Sequence, residues 1–229
     1  MSFDLTLAEQ MAVICQAAYD DDFAGYCDAF DLPVEEIQEL ADDNQRILVG
    51  HYPDRTVVAF RGTATVGGWE EDLNTAPVLT WYPGLVHAGF YQADQNCAIL
   101  LDGNVPPEKP VLFTGHSLGG ALATLASYRY LRRSYHVLPV YTFGCPRVGN
   151  PRFVNAMSEL SLFRVTYAGD PVPHVPLGVY APHGTTVWYN PAGEQLPENP
   201  EEEIIDFARD VWSDHAIANY VRILSPKGK

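Results

Sequence analysis

Residues 111–126 read VLFTGHSLGGALATLA, and the rest of the chain takes its meaning from them. Four strand-forming residues, Val111, Leu112, Phe113 and Thr114, run into Gly115-His116-Ser117-Leu118-Gly119. Small and apolar residues follow at helical spacing, through Ala121, Leu122, Leu125 and Ala126. A strand that turns sharply into a helix, with serine at the turn and glycine two positions either side, is a nucleophile elbow. A Cβ at 115 or 119 would collide with the tight turn that lifts the Ser117 hydroxyl above the sheet. The helix that starts there aims its unused N–H groups at the same spot. A bare G-x-S-x-G recurs by chance; one set between a buried strand and a Gly/Ala-rich helix start is far more specific.

The chain of 229 residues is long enough for one substantial core, so a single domain over residues 1–229 is expected. A hydrophobic content of 47% with 19% charged residues indicates a folded protein. A formal net charge of −15 argues against nucleic acid as a partner and against binding anionic membranes by charge. The first residues, MSFDLTLAEQMAVICQAAYDDD, show no basic region followed by an apolar run, and no stretch is apolar enough to span a membrane. Location is therefore cytoplasmic by default, or secreted if a leader has been removed. The four cysteines, Cys15, Cys27, Cys97 and Cys145, lack C-x-x-C pairing or metal-ligand spacing. They read as buried free thiols, with two disulfides as the alternative.

From the N-terminus, Thr6-Leu7-Ala8-Glu9 reads as a capping box that opens a helix running to about Tyr19. A second, short helix is expected from Pro33 to Leu40. Arg46–Tyr52 and Thr56–Phe60 read as a hairpin around Pro53-Asp54-Arg55. Residues 63–84 form a loop-rich insertion, and a helix follows from about Phe90 to Leu101. Beyond the elbow, strands are expected at Val137–Phe143, Phe163–Tyr167 and Thr185–Tyr189, with a helix at Pro151–Leu160. An ordered loop should run from Gly169 to Gly184 and a turn region from Pro191 to Pro200. Closing helices should cover 202–212 and 214–224. Strands alternating with helices give an α/β fold: a mostly parallel central sheet, helices on both faces, and an antiparallel hairpin near the N-terminal side.

A serine hydroxyl needs a histidine to take its proton, and the histidine needs a carboxylate to orient it. On folds that carry this elbow, the acid and then the histidine follow the serine in the chain. Among the later acids, only Asp170 directly follows a strand end, on a turn with Gly169 and Pro171. Of the later histidines, His174 is too near Asp170 to fold back easily onto it. His215, late in the chain near a helix start, is the preferred base, with His183 as the rival. The oxyanion hole needs two donors. One is the N–H of Leu118; the other falls to Arg61-Gly62-Thr63, where Thr63 offers both N–H and hydroxyl. The bland alternative for those three residues is a strand-to-loop turn.

Eight ordered motifs then carry a family resemblance: VVAFRGT (57–63), Trp69 with Asp72-Leu73, VHAGF (86–90), GHSLGGALA (115–123), TFGCPRVGN (142–150), GDPVPHVP (169–176), HGTTVWY (183–189) and Asp214-His215. Together they resemble the class 3 lipases, the fungal-lipase-like branch of the α/β-hydrolase fold. The resemblance implies Ser117, Asp170 and His215 as the triad, with Thr63 and Leu118 at the oxyanion hole and Asp72 holding the Thr63 hydroxyl. Tyr19 falls where the family tends to carry a tyrosine near the site. His87, His116 and His183 match histidines that are mainly structural.

The resemblance also implies a lid at residues 64–73, with Val66 and Trp69 on its apolar side and a hinge at Gly67-Gly68. Glu70 and Glu71 weaken that side, so opening without an interface and a preference for soluble or shorter-chain esters are expected. Val172, Val175, Pro176, Leu177 and Val179 read either as the lining of an acyl groove or as packing beneath the sheet edge. The expected activity is hydrolysis of acylglycerol-type esters, without metal or cofactor. The expected partners are a small-molecule ester or lipid substrate and a lipid–water interface, with a monomer as the default. Feruloyl-type esterase and phospholipase A1 are the alternatives on the same scaffold. An inactive lipid-binding module is the alternative from another class.

Overall fold

The computed structural model describes residues 2–20, 34–42, 44–63, 76–167, 169–197 and 213–225. Among them an eight-stranded sheet has the order β1-β2-β3-β6-β7-β8-β9-β10. It comprises β1 (Glu36–Ala41), β2 (Arg46–His51), β3 (Thr56–Phe60), β6 (Val111–His116), β7 (Val140–Phe143), β8 (Leu162–Tyr167), β9 (Thr185–Tyr189) and β10 (Gln195–Leu196). The strands from β3 to β9 run parallel, while β1, β2 and β10 pair antiparallel at the edges. β4 (Pro77–Leu79) and β5 (Leu85–His87) form a separate antiparallel pair.

The central strands are buried along their whole length, the pattern of strands covered on both faces. Their side chains divide by the two-residue period: Leu48, Val57, Ala59 and Leu112 enter one core, Ile47, Val49, Val58, Phe60 and Phe113 the other. The first core is closed by α1 (Leu5–Ala17), through Ala8, Met11 and Cys15, and by the last helix, Ile217–Leu224, through Tyr220, Ile223 and Leu224. The second is closed by α2 (Ala88–Leu101) and α3 (Leu118–Arg132). The short α4 (Pro151–Ala156) adds Phe153 to it, and the last helix, Ile217–Leu224, is α5. Beneath α3 a buried ion pair joins Arg129 to Asp94 at 2.9 Å, with the Tyr82 hydroxyl on the other carboxylate oxygen at 2.7 Å.

The α/β architecture expected from the sequence is the one found, and three local expectations are corrected. The segment around 36–41 is a strand rather than a helix. Ile37 and Leu40 fit a helical stripe, but the open edge of β2 takes this segment as a partner, in register from Glu36↔His51 to Ala41↔Arg46. Arg46 then reaches back to Glu39 at 3.0 Å. The first helix is capped by Asp4, whose side chain accepts from the Leu7 N–H at 3.1 Å, instead of by Thr6. The helix beginning at Pro151 ends at Ala156, short of Leu160. Cys15, Cys97 and Cys145 are buried free thiols, while Cys27 and the helix expected at 202–212 lie outside the described residues. No helix among the described residues is long and apolar enough to cross a membrane.

Candidate active site

The carboxyl ends of β3, β6, β7 and β8 deliver Gly62-Thr63, Ser117, Gly144 and Asp170 to one rim of the sheet, where α/β folds bind ligands. Ser117 links β6 to α3 at φ 60°, ψ −130°, a left-handed conformation that an ordinary residue adopts only under constraint. The constraint is visible. The Ser117 N–H donates to the Phe143 carbonyl of β7 at 2.9 Å, and the Gly120 N–H returns to the Ser117 carbonyl at 2.9 Å. A Cβ on Gly115 would stand 2.1 Å from the Gly119 carbonyl oxygen, across the turn itself. One on Gly119 would stand 2.1 Å from the Phe60 carbonyl oxygen, so that glycine lets α3 settle onto the end of β3. Leu118 opens α3, where backbone N–H groups have no carbonyl of their own helix to bond.

Asp170 is fully buried just beyond β8. Its Oδ2 accepts from His215 Nδ1 at 2.9 Å and from the Tyr220 hydroxyl, and its Oδ1 accepts from the Val172 N–H at 2.9 Å. Burial alone would push this carboxyl up. The His215 charge and the three donors outweigh burial and hold it below the usual value. A carboxylate accepts only, so Nδ1 of His215 carries its proton, and in the neutral ring Nε2 holds the basic lone pair. The imidazole lies against His116, the residue before the nucleophile, with ring centroids 4.5 Å apart. Gly144, at φ +54°, makes room for the pair: an added Cβ would be 2.8 Å from Asp170 Oδ2 and 2.9 Å from His215 Cε1.

The structure thus brings Ser117, Asp170 and His215 to one rim and sends the rival base elsewhere. His183 is buried against α3, with Nε2 3.2 Å from Thr124 Oγ1 and 3.9 Å from Cys145 Sγ. Burial, and after it the Arg164 charge, hold it neutral, well below the usual histidine range. His174 lies beside the Trp188 ring at 5.5 Å, and His87 caps α2 through the Phe90 N–H. Thr63 is exposed, one residue beyond Gly62, whose missing Cβ faces Ser117 Cβ at 3.1 Å. Asp72 and the lid residues Val66, Gly67, Gly68 and Trp69 lie outside the described residues. Of the apolar loop, Val172 and Pro176 are buried and Val175 half-buried, while Leu177 and Val179 are 70% and 50% exposed.

Two members of this cluster are not singled out by the sequence motifs. Gly144 is one glycine inside TFGCPRVGN, and only the positions of Asp170 and His215 give it a task. Tyr220 had a usable signal: it shares the buried face of α5 with Ile223 and Leu224, and a buried tyrosine hydroxyl needs a partner.

A serine on a strained strand-to-helix turn and a buried imidazole–carboxylate pair arriving from later loops, on a mostly parallel sheet covered by helices, define an α/β-hydrolase fold. The chain belongs to the class 3 lipase family, whose model, "Lipase (class 3)", matches residues 57–180. It is 35% identical over 162 residues to the secreted mono- and diacylglycerol lipase 1 of Fusarium solani, covering 66% of this chain and 46% of that protein. It is also 35% identical over 153 residues to a lipase of Rhizomucor miehei, covering 60% of this chain and 42% of that one. The match thus spans less than half the length of either relative. The solved Rhizomucor miehei triacylglyceride lipase superposes with a TM-score of 0.76 over 98% of each chain, a likeness of fold at 22% identity.

Proposed function

We propose that this chain hydrolyses carboxylic esters of acylglycerol type through an acyl-enzyme. Ser117 Oγ attacks the ester carbonyl as His215 Nε2 takes its proton, and Asp170 stabilises the imidazolium that forms. The N–H of Leu118 and the N–H and hydroxyl of Thr63 receive the developing oxyanion, with Asp72 steadying the hydroxyl. His215 then gives the proton to the departing alcohol. Water, deprotonated by the same nitrogen, attacks the acyl-enzyme and returns Ser117 with release of the carboxylic acid.

The observation that carries this reading is the fully buried Asp170 joined to His215 Nδ1 at 2.9 Å, beside the elbow serine. The names of the two relatives support glyceride esters as the substrate class. The Fusarium name also supports the secreted alternative over the cytoplasmic one. Residues 1–229 act as one domain in this reading, as a monomer. Residues 64–73 act as a lid that opens on Gly67-Gly68 without needing an interface, because Glu70 and Glu71 spoil its apolar side. The exposed Leu177 and Val179 then meet the acyl chain, while the buried Val172 serves Asp170 and Val175 and Pro176 support the loop.

A p-nitrophenyl ester series from acetate to palmitate, run on wild type and Ser117→Ala, tests the reading. Wild type should turn over the short and medium esters, with Ser117→Ala lower by at least about 10³-fold. No turnover at any chain length would favour a lipid-binding module instead. A large jump in rate above the substrate's critical micelle concentration would count against the lid proposal.

A further inference from the structure

We infer that Tyr19 and His116 form a positioning relay that ties the oxyanion arm at Gly62-Thr63 to the peptide of His215. The inference rests on the proposed ester hydrolysis and deepens it.

The relay consists of three contacts. The Gly62 N–H lies 3.1 Å from Tyr19 Oη, Tyr19 Oη lies 2.9 Å from His116 Nδ1, and His116 Nε2 lies 2.7 Å from the main-chain oxygen of His215. Elementary chemistry places every proton. A carbonyl oxygen only accepts, so Nε2 of His116 is the protonated nitrogen. Burial, and after it the nearby His215 charge, lower His116 to about 3, so the ring is neutral and Nδ1 has only a lone pair. The Tyr19 hydroxyl therefore donates to Nδ1, and its oxygen is left to accept from Gly62. The protons all point one way, from the oxyanion arm to the base.

What the relay connects argues that it does more than satisfy buried groups. Tyr19 sits past the end of α1 (Leu5–Ala17), so the turn after that helix reaches the catalytic rim. An added Cβ on Gly62 would stand 2.4 Å from Tyr19 Oη, 2.7 Å from the His116 carbonyl and 3.1 Å from Ser117 Cβ. The backbone that carries Thr63 is thus clamped between the tyrosine and the nucleophile's turn. At the far end, His116 holds the His215 carbonyl while its ring lies against the imidazole at 4.5 Å. Neither Tyr19 nor His215 falls within the stretch 57–180 that the family model matches. Oxyanion donors act only when held at about 2.7–3.1 Å from the developing charge. Tyr19→Phe frees both the Gly62 N–H and His116 Nδ1, and the arm can then drift from that position.

The test is Tyr19→Phe in wild-type and Thr63→Val backgrounds, with p-nitrophenyl butyrate as substrate and a short-chain alkyl trifluoromethyl ketone as the tetrahedral mimic. The expected result is a kcat lower by about 10- to 50-fold with KM within about twofold, a smaller effect than the ~10²–10³ of deleting an oxyanion donor outright. The ketone should bind more weakly by the same factor that kcat loses. In the Thr63→Val background the same substitution should cost less than about threefold, because the two residues act through one arm. Unchanged kcat and ketone affinity with only a lower Tm would overturn the inference and leave Tyr19 a structural residue. So would the full loss persisting in the Thr63→Val background, or a Tyr19→Phe protein that does not fold. If wild type itself turns over no ester and a p-nitrophenyl phosphonate fails to label Ser117, the ester-hydrolase reading fails and takes the relay with it.

Discussion

Gly144→Ala puts one methyl group where the imidazole–carboxylate pair is packed most tightly. The new Cβ would lie 2.8 Å from Asp170 Oδ2, 2.9 Å from His215 Cε1 and 3.0 Å from His215 Nδ1, each about 0.5 Å short of ordinary contact. Asp170 has little freedom to move, because Tyr220 and the Val172 N–H hold its two oxygens. The imidazole must yield. A displacement of about half an ångström stretches the 2.9 Å bond to Asp170 to the limit of hydrogen bonding and turns the ring away from Ser117. A 1 Å misplacement costs about 10²-fold, so kcat should fall by about 10- to 100-fold with KM little changed. The residue also sits at φ +54°, so strain and overpacking together should cost about 2–4 kcal/mol, a Tm drop of about 5–15 °C. The assay is kcat and KM on p-nitrophenyl butyrate well below the variant's Tm, normalised to the sites labelled by a phosphonate. A variant whose kcat stays within about threefold of wild type would refute the claim that this glycine makes room for the pair.

Tyr220→Phe should lower kcat by about tenfold and stability at neutral pH by roughly 1.5–3 kcal/mol, since a charge-assisted hydrogen bond is lost. The Asp170 carboxyl is depressed in the folded state, so its stabilisation is present above about pH 4 and is lost as pH falls through the folded value. The gap between variant and wild-type urea midpoints should therefore narrow from pH 7 to about pH 2.5; an equal gap at both would contradict the assignment. His215→Asn should reduce kcat by about 10³-fold or more, whereas His183→Asn should stay within a few-fold and lose about 1–2 kcal/mol of stability, as rates and melting curves will show. Asp94→Asn leaves the buried Arg129 without its counter-charge and should cost about 3–5 kcal/mol in urea unfolding, while phosphonate-normalised kcat holds.

The strand–elbow–helix of residues 111–126 and the apolar runs on either side are local statements, and both survive folding intact. Alternation of buried strands with helices was enough to give the sheet its class, because each element's periodicity already says which of its faces are covered. Chain order and strand-end position likewise picked out Asp170, and position near a late helix picked out His215. Where the reading failed, a distant partner decided the outcome. Residues 36–41 have a helical stripe and became a strand because the edge of β2 offered backbone hydrogen bonds that a short isolated helix cannot match. Gly144, Tyr220 and the Tyr19–His116 relay went unread for the same reason: each is defined by a neighbour on another strand or helix. Sequence by itself determined the nucleophile, its turn and the fold class, since those follow from residues close together in the chain. Only the tertiary structure decided which histidine meets Asp170 and what holds it there, because such choices depend on distances between segments that no local pattern encodes.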